Sequence, residues 1–402
     1  MTIDKVVLAY SGGLDTSVAV RWIIERYQAK VITLTIDLGG QSLPPDLKER
    51  ALKAGATDSI VIDAREIFAR DFALPALRAG ALYEGHYPLA TALGRPLIAQ
   101  LLVRVAREQD ASAVAHGCTG KGNDQVRFDI SVAALNPNLS VVAPAREWGM
   151  SREEEVLYAQ KHGIPVSSKV RSPYSTDANL WGRSVEAGAL EDPSKEPPED
   201  AYEWTRAIAD TPDNPVDLQL EFVNGMPTTI DGEALDLVAL ISHLNEVGGE
   251  NGIGRIDMVE NRLVGIKSRE IYEAPAATIL HKSHQALESL TLSKEQARFK
   301  TRLSQDYADL VYDGLWFTAH RQDLDAYVLS SQRFVTGAVK VRLHKGQCEI
   351  VGRESPFSLY RHELATYDHG DRFDHRASEG FIAIKGLPVR TQTQIQLNIK
   401  ES

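Results

Sequence analysis

The chain has 402 residues, of which 43% are hydrophobic and 25% charged. Such proportions belong to a folded globular protein of two to three domains, and they exclude a largely disordered, collagen-like or disulfide-built chain. The 44 basic and 55 acidic residues leave a net charge of −11, which repels phosphate backbones and anionic lipid, so no nucleic-acid partner and no membrane partner is expected. The two cysteines, Cys118 and Cys348, are too far apart for a paired redox or zinc motif and read as free thiols of a reducing compartment. No segment approaches the roughly 18 unbroken apolar residues of a membrane span, and the start MTIDKVVLAY lacks a signal region, which predicts a soluble, cytoplasmic protein.

Residues 5–10, KVVLAY, form a short β-branched apolar run and predict a strand buried on both faces of a parallel sheet. A Ser11-Gly12-Gly13 turn follows, then a helix capped by Asp15 or Thr16 and carrying Val18, Trp22 and Ile23 on its apolar side. The unit repeats with a strand at 30–36, a helix at 45–55, a strand at 59–62, helices at 65–79 and 96–109, and a strand at 112–116. That alternation, sustained over about 140 residues, predicts an α/β fold with an N-terminal doubly wound parallel sheet.

Residues 191–217 hold five prolines and many carboxylates, a composition that resists regular structure and suits a crossing between domains. Beyond it, Asn224-Gly225 between apolar runs at 218–223 and 227–230 predicts a hairpin, 234–247 has helical spacing, and 335–351 predicts a second hairpin around Lys345-Gly346. The second region is therefore α+β. The division expected is a nucleotide-binding domain at 1–170, a substrate-binding and multimerisation domain at 171–365, and a C-terminal oligomerisation tail at 366–402.

The strongest chemical signal is strand, then Ala9-Tyr10-Ser11-Gly12-Gly13-Leu14-Asp15-Thr16-Ser17, then helix. Two glycines let backbone approach a ligand, hydroxyls add donors, and a helix N-terminus favours an anion. The glycines alone would equally suit an ordinary strand-to-helix turn. A Walker loop needs Lys then Ser or Thr where Leu14 and Asp15 stand, and the Rossmann glycine spacing does not fit either. A carboxylate beside a phosphate cradle calls for a cation between them, so Asp15 points to Mg²⁺. A second loop, His116 to Phe128, carries glycines at 117, 120 and 122 with Asn123, Asp124 and Arg127. An amide, an anion and a cation at one spot suit an amino-acid substrate. The expected crevice gathers Arg95, Lys121 and Arg127 around anionic substrates.

The spelling SGGLDTS resembles the pyrophosphate loop of the ATP pyrophosphatase superfamily, whose members release AMP and pyrophosphate. Together with GCTGKGNDQVRF after a strand, it makes the chain similar to the argininosuccinate synthase family. Further motifs at 83–99, 172–186, 191–205, 245–275 and 278–292 carry the resemblance to about residue 365. The resemblance implies an adenine nucleotide alpha hydrolase-like sheet and ATP-dependent ligation of L-citrulline to L-aspartate in arginine biosynthesis, through a citrullyl-AMP intermediate. It places ATP on Ala9, Tyr10, Ser11, Gly12, Gly13, Leu14, Asp15, Thr16 and Ser17, with Ile36 and Gly117 near the nucleoside. Aspartate falls to Thr91, Thr119, Asn123 and Asp124. Citrulline falls to Tyr87, Asn123, Arg127, Ser175, Ser184, Glu260 and Tyr272. Tyr87, Thr91 and Arg95 would share one face if their segment is helical. No nucleophile or general base stands out, so Asp15 with Mg²⁺ is the sole catalytic assignment, and the family implies a homotetramer.

Two departures from the family pattern bear on affinity. Ala92 stands where many relatives have a serine that touches citrulline, and the Gly39-Gly40-Gln41 loop sets its glutamine one place along. The rival readings are a tRNA-modifying enzyme of the same superfamily, which would want a basic surface and paired cysteines, and a nucleotide sensor lacking the Thr119-Asn123-Asp124-Arg127 cluster. His281 and His284, three apart, read as surface or subunit contacts rather than as a metal pair.

Overall fold

The computed structural model describes residues 3–165 and 173–397. Val6, Val7 and Leu8 are fully buried, so the first strand has apolar side chains on both faces and must lie inside a covered sheet. Five strands, β1 (Lys5–Ala9), β2 (Lys30–Asp37), β3 (Asp58–Asp63), β4 (Ala113–Ala115) and β5 (Ser140–Val142), pair in parallel in the order β3-β2-β1-β4-β5. The order reverses between β1 and β4. Loops leaving the carboxyl ends of those two strands therefore open into one crevice.

Each face of the sheet has its own apolar cluster. Val6, Leu8 and Val31 pack with Val18, Ala19 and Ile23 of helix α1 (Leu14–Tyr27) on one side. Val7, Leu34 and Val114 meet Leu93 and Leu97 of the helix Ala90–Glu108 on the other, and this cluster runs on without a break to Leu220, Leu280 and Val339. The parallel sheet and the second half of the chain thus share one core.

That second half holds two antiparallel sheets. In one, β6 (Ser175–Asn179), β7 (Gly182–Glu186), β11 (Arg255–Asn261) and β12 (Lys267–Glu273) lie in the order β11-β12-β7-β6. In the other, β8 (Val216–Val223), β9 (Met226–Ile230), β10 (Glu233–Ala234), β13 (Gly337–His344) and β14 (Gln347–Glu354) lie in the order β10-β9-β8-β13-β14. Its three hairpin turns have positive φ at both central residues, 50° and 72° at Asn224-Gly225, 51° and 82° at Asp231-Gly232 and 46° and 79° at Lys345-Gly346, the backbone that matches strand twist. By internal contacts residues 1–357 form one compact unit and Ser358–Ser402 another. In the latter the helix Ala377–Lys385 leaves Phe381, Ile382 and Ile384 exposed.

Several expectations are corrected. Neither Asp15 nor Thr16 caps α1: Gly13 is the N-cap and no side chain closes the helix end. The helix expected at 96–109 begins at Ala90 and carries Pro96 inside it, while the one expected at 65–79 is broken by a π-turn at Ala69–Ala73. Tyr87 lies ahead of the helix that bears Thr91 and Arg95. The proline-rich crossing forms 3-10 turns at Glu199–Ala201 and Ile208–Asp210 and is pinned by fully buried Glu273. That carboxylate accepts from the Arg183 guanidinium at 2.7 Å, from the backbone N–H of Glu203, Trp204 and Thr205, and from the Thr205 hydroxyl. His281 and His284 are buried on the helix Pro275–Thr291, His284 bonded to Gln332 at 2.8 Å, because that helix has the shared core around it. Among the described residues no helix is long and apolar enough to cross a membrane.

Candidate active site

A cavity of about 950 Å³ opens at the carboxyl ends of β1 and β4. At its nucleotide end, the chain leaves β1 through Tyr10, Ser11 and the Gly12-Gly13 turn. Gly12 sits at φ 77°, a conformation that side-chain-bearing residues rarely adopt. Because nothing caps α1, its first N–H groups are left for a ligand, and the helix dipole favours an anion there. The loop is braced by Ser11 Oγ to Thr16 Oγ1 at 3.1 Å and by the Gly13 N–H donating to Ser11 Oγ at 3.3 Å.

Of the loop residues, Ala9, Tyr10, Ser11, Gly13, Leu14, Asp15 and Thr16 line the cavity, as do Ile36 and Gly117. Gly12 and Ser17 do not. Gly12 lies against Leu47, and Ser17, 1% exposed, is bonded to the Tyr10 hydroxyl at 3.0 Å, so both shape the loop from behind. Gln41 lines the cavity from the loop after β2. Gly40 in that loop has φ 83° and packs so closely on the Asn179 backbone that an added Cβ would lie 2.5 Å from its carbonyl oxygen. Burial and the neighbouring Asp15 carboxylate push Glu155, on the helix Arg152–Lys161, up to about 8.

The other end is built around the helix Asn123–Leu135, which follows the second glycine-rich loop. Asn123 Nδ2 donates to the Tyr312 hydroxyl at 2.8 Å, and Leu263 N–H donates to Asn123 Oδ1 at 2.9 Å. Arg127 Nε donates to the Tyr312 carbonyl at 2.8 Å and Nη1 to Asp124 at 2.9 Å. Its Nη2 is buried with no hydrogen-bond partner among the described residues. Arg95 Nη2 joins Asp124 at 2.7 Å to Asp177 at 2.6 Å. Burial alone would raise the Asp124 carboxyl, but the Arg95 and Arg127 guanidiniums hold it below the usual carboxylate range.

Two hydroxyls meet Glu260, which is 1% exposed: Tyr312 donates to Oε1 at 2.8 Å and Tyr272 to Oε2 at 2.7 Å. Tyr87 stacks on Tyr272 with centroids 3.9 Å apart and accepts from the Thr91 N–H at 2.9 Å, and Thr91 Oγ1 lies 3.3 Å from Ser184 Oγ. Tyr87, Thr91, Asn123, Asp124, Arg127, Ser175, Ser184, Glu260 and Tyr272 all line the cavity. Thr119 is exposed and does not line it, though it sits beside Gly122, which does. Lys121 is likewise exposed and away from the wall, where the guanidiniums of Arg152 and Arg262 stand with those of Arg95 and Arg127. Ala92 is fully buried, and Thr91 supplies the hydroxyl at that point of the wall.

Sequence reasoning missed Asp177, Glu186, Arg262, Glu270 and Tyr312, all at the cavity wall. Four of them sit on strands too polar to show an apolar alternation or at the ends of such strands. Tyr312, the last residue of the helix Lys294–Tyr312, has no local mark at all.

Residues 5–165 match the family model described as Arginosuccinate synthase N-terminal HUP domain, and residues 174–392 match Arginosuccinate synthase C-terminal domain. An argininosuccinate synthase of Dehalococcoides mccartyi is 55% identical over 398 residues, 99% of this chain and 98% of the relative. One of Symbiobacterium thermophilum is 57% identical over 397 residues, 98% of this chain and 99% of the relative. Among solved structures, a U34-tRNA thiolase of Methanococcus maripaludis aligns at 16% identity over 43% of this chain and 60% of its own, with a TM-score of 0.28.

Proposed function

The chain belongs to the argininosuccinate synthase family, and from that premise we propose that it joins L-citrulline to L-aspartate with ATP, forming argininosuccinate, AMP and pyrophosphate. The observation that carries this reading is one cavity with an uncapped, glycine-turned helix end at one side and the Asn123-Arg127-Glu260 cluster at the other. The first suits polyphosphate. The second suits a zwitterion, because Glu260 offers a carboxylate to an ammonium and Arg127 has a buried donor to spare for an anionic or carbonyl oxygen.

Citrulline's ureido oxygen is a weak nucleophile and the ureido group has no good leaving group. In the proposed sequence that oxygen attacks the α-phosphorus of ATP, pyrophosphate leaves, and citrullyl-AMP forms. The aspartate amine then attacks the ureido carbon and AMP departs with the activated oxygen. Gly13, Leu14, Asp15 and Thr16 would hold the outer phosphates through the α1 N–H groups, with Ala9 to Ser11, Ile36 and Gly117 along the rest of the nucleotide. Tyr87, Asn123, Arg127, Ser175, Ser184, Glu260 and Tyr272 would hold citrulline. Thr91, Thr119, Asn123 and Asp124 would hold aspartate, its ammonium facing a carboxylate that Arg95 and Arg127 keep ionised.

Catalysis in this scheme rests on alignment, for which effective molarities reach on the order of 10⁵ M or more. Magnesium fits Asp15, since it commonly takes one or two protein carboxylates with substrate phosphates and water, and Asp15 is a cavity carboxylate beside the phosphate loop. Bound there, it would neutralise charge on departing pyrophosphate. The reading is tested by supplying the purified protein with ATP, Mg²⁺, citrulline and aspartate. Aspartate-dependent AMP and pyrophosphate with argininosuccinate is the expected outcome, and absence of argininosuccinate would refute it.

A further inference from the structure

Glu270 and Tyr272 are two residues apart on β12 and share one face of the strand, while Glu260 stands on the neighbouring β11. The Tyr272 hydroxyl lies 2.7 Å from Glu260 Oε2 and 2.9 Å from Glu270 Oε2. A phenol has one proton, so it can donate to only one of these carboxylates. The other contact is a hydrogen bond only if the carboxyl itself carries a proton. Glu260 has a second donor in Tyr312, which satisfies it as an anion. Besides Tyr272, Glu270 has among the described residues only Arg262 Nη2 at 2.9 Å, and that guanidinium is also bound by Glu186. Two carboxylates, Glu186 and Glu270, therefore share the Arg262 guanidinium, and a third, Glu260, stands against Glu270 across the Tyr272 hydroxyl.

Glu270 is faced by Glu260 from β11, by Arg262 just past the end of that strand, by Glu186 from β7 and by Tyr272 from its own strand. Tyr87, Tyr312, Arg127 and Asp124 stand beyond these. Their sum is negative, and the excess has to be met by a proton or by a cationic ligand. Citrulline presents such a cation in its ammonium group.

We propose that Glu270 is a second carboxylate of the citrulline subsite: in the empty site it holds a proton and donates it to the Tyr272 hydroxyl, and it releases that proton to solvent when the substrate ammonium enters. The proposal rests on the reading that Glu260 and Tyr272 receive citrulline. No covalent bond changes; Glu270 goes from carboxylic acid to carboxylate, and the ammonium charge replaces the proton. Burial and the Glu260 charge push Glu270 up to about 7, and burial with the Glu270 charge pushes Glu186 upward, which agrees with a proton held in this cluster near neutrality. Nothing local in the sequence marks Glu270, because the argument needs the hydroxyl between two strands.

The test is calorimetry of citrulline binding to the full-length protein from pH 6 to 8, in two buffers of different ionisation enthalpy, for the wild type, Glu270→Gln and Glu260→Gln. With one proton leaving a group near pH 7, the wild-type Kd for citrulline should fall roughly tenfold between pH 6 and pH 8, and close to one proton should be released at pH 6. Glu270→Gln, which keeps the side-chain volume, should lose both the pH slope and the released proton. Proton release that persists in Glu270→Gln, or a wild type that releases none, would overturn the proposal. Citrulline binding by Glu260→Gln equal to wild type would overturn instead the subsite reading beneath it.

Discussion

Tyr312→Phe removes a single oxygen that two proposed citrulline residues share. In the folded protein that hydroxyl accepts from Asn123 Nδ2 at 2.8 Å and donates to Glu260 Oε1 at 2.8 Å, both contacts buried. A neutral hydrogen bond contributes about 0.5–1.5 kcal/mol and one to a charged group about 1.5–3 kcal/mol. Part of that is recovered, since Leu263 N–H still orients Asn123 and Tyr272 still donates to Glu260. A net loss of about 1–3 kcal/mol remains, or about 5–150-fold in kcat/KM for citrulline. The ring itself is kept, so its stack on Tyr83 and the Arg127 guanidinium 4.7 Å from its centroid persist, and the melting temperature should fall by no more than a few degrees. Pyrophosphate release at saturating ATP and aspartate, with citrulline varied, measures the effect. An unchanged kcat/KM for citrulline would refute the role given to Tyr312, and so would an equal loss for aspartate alone.

Asp15→Asn should lower turnover by roughly 10²-fold and blunt its dependence on Mg²⁺ concentration, so wild-type turnover with wild-type Mg²⁺ dependence would contradict the assignment. Glu273→Ala strips the fully buried carboxylate that pairs with Arg183 and pins residues 203–205, which should cost about 3–5 kcal/mol in urea unfolding; a loss below about 1 kcal/mol would show the pin to be idle. Glu155 offers a pH test. Its folded value of about 8 lies above the ordinary 4.5, so the folded form binds this proton more tightly, and the stability it contributes is complete below about pH 4.5 and lost as pH rises through about 8. Glu155→Gln cannot ionise, and its urea midpoint should fall less than that of the wild type between pH 5 and pH 8; equal falls would refute the shift.

What could be read without coordinates was local. The run from Val6 to Ser17 announces strand, glycine turn and helix because each signal lies within a few residues of the next, and the parallel sheet of β1 to β4 follows from the alternation that includes it, whereas β5, only three residues long, gives no such signal. Two of the hairpins likewise declare themselves through Asn224-Gly225 and Lys345-Gly346. The four-stranded sheet β11-β12-β7-β6 was not legible, because STDAN, GRSVE and KSREIYE present polar side chains to a polar cavity and lack the apolar alternation by which a strand is recognised. Tyr312 was invisible for a different reason: it stands 189 residues from Asn123, and only the shared core brings the end of its helix to the wall. The helix cap at Asp15 failed instructively, since the local preference for a capping carboxylate gives way where the free N–H groups have another use.

The most direct test of the central claim follows one oxygen atom. Citrulline labelled with ¹⁸O in its ureido group is incubated with the protein, ATP, Mg²⁺ and aspartate, and the AMP and pyrophosphate are analysed by mass spectrometry. Attack of the ureido oxygen on the α-phosphorus predicts one ¹⁸O in each AMP formed and none in pyrophosphate. AMP free of label, formed together with argininosuccinate, would contradict adenylation of citrulline at this site.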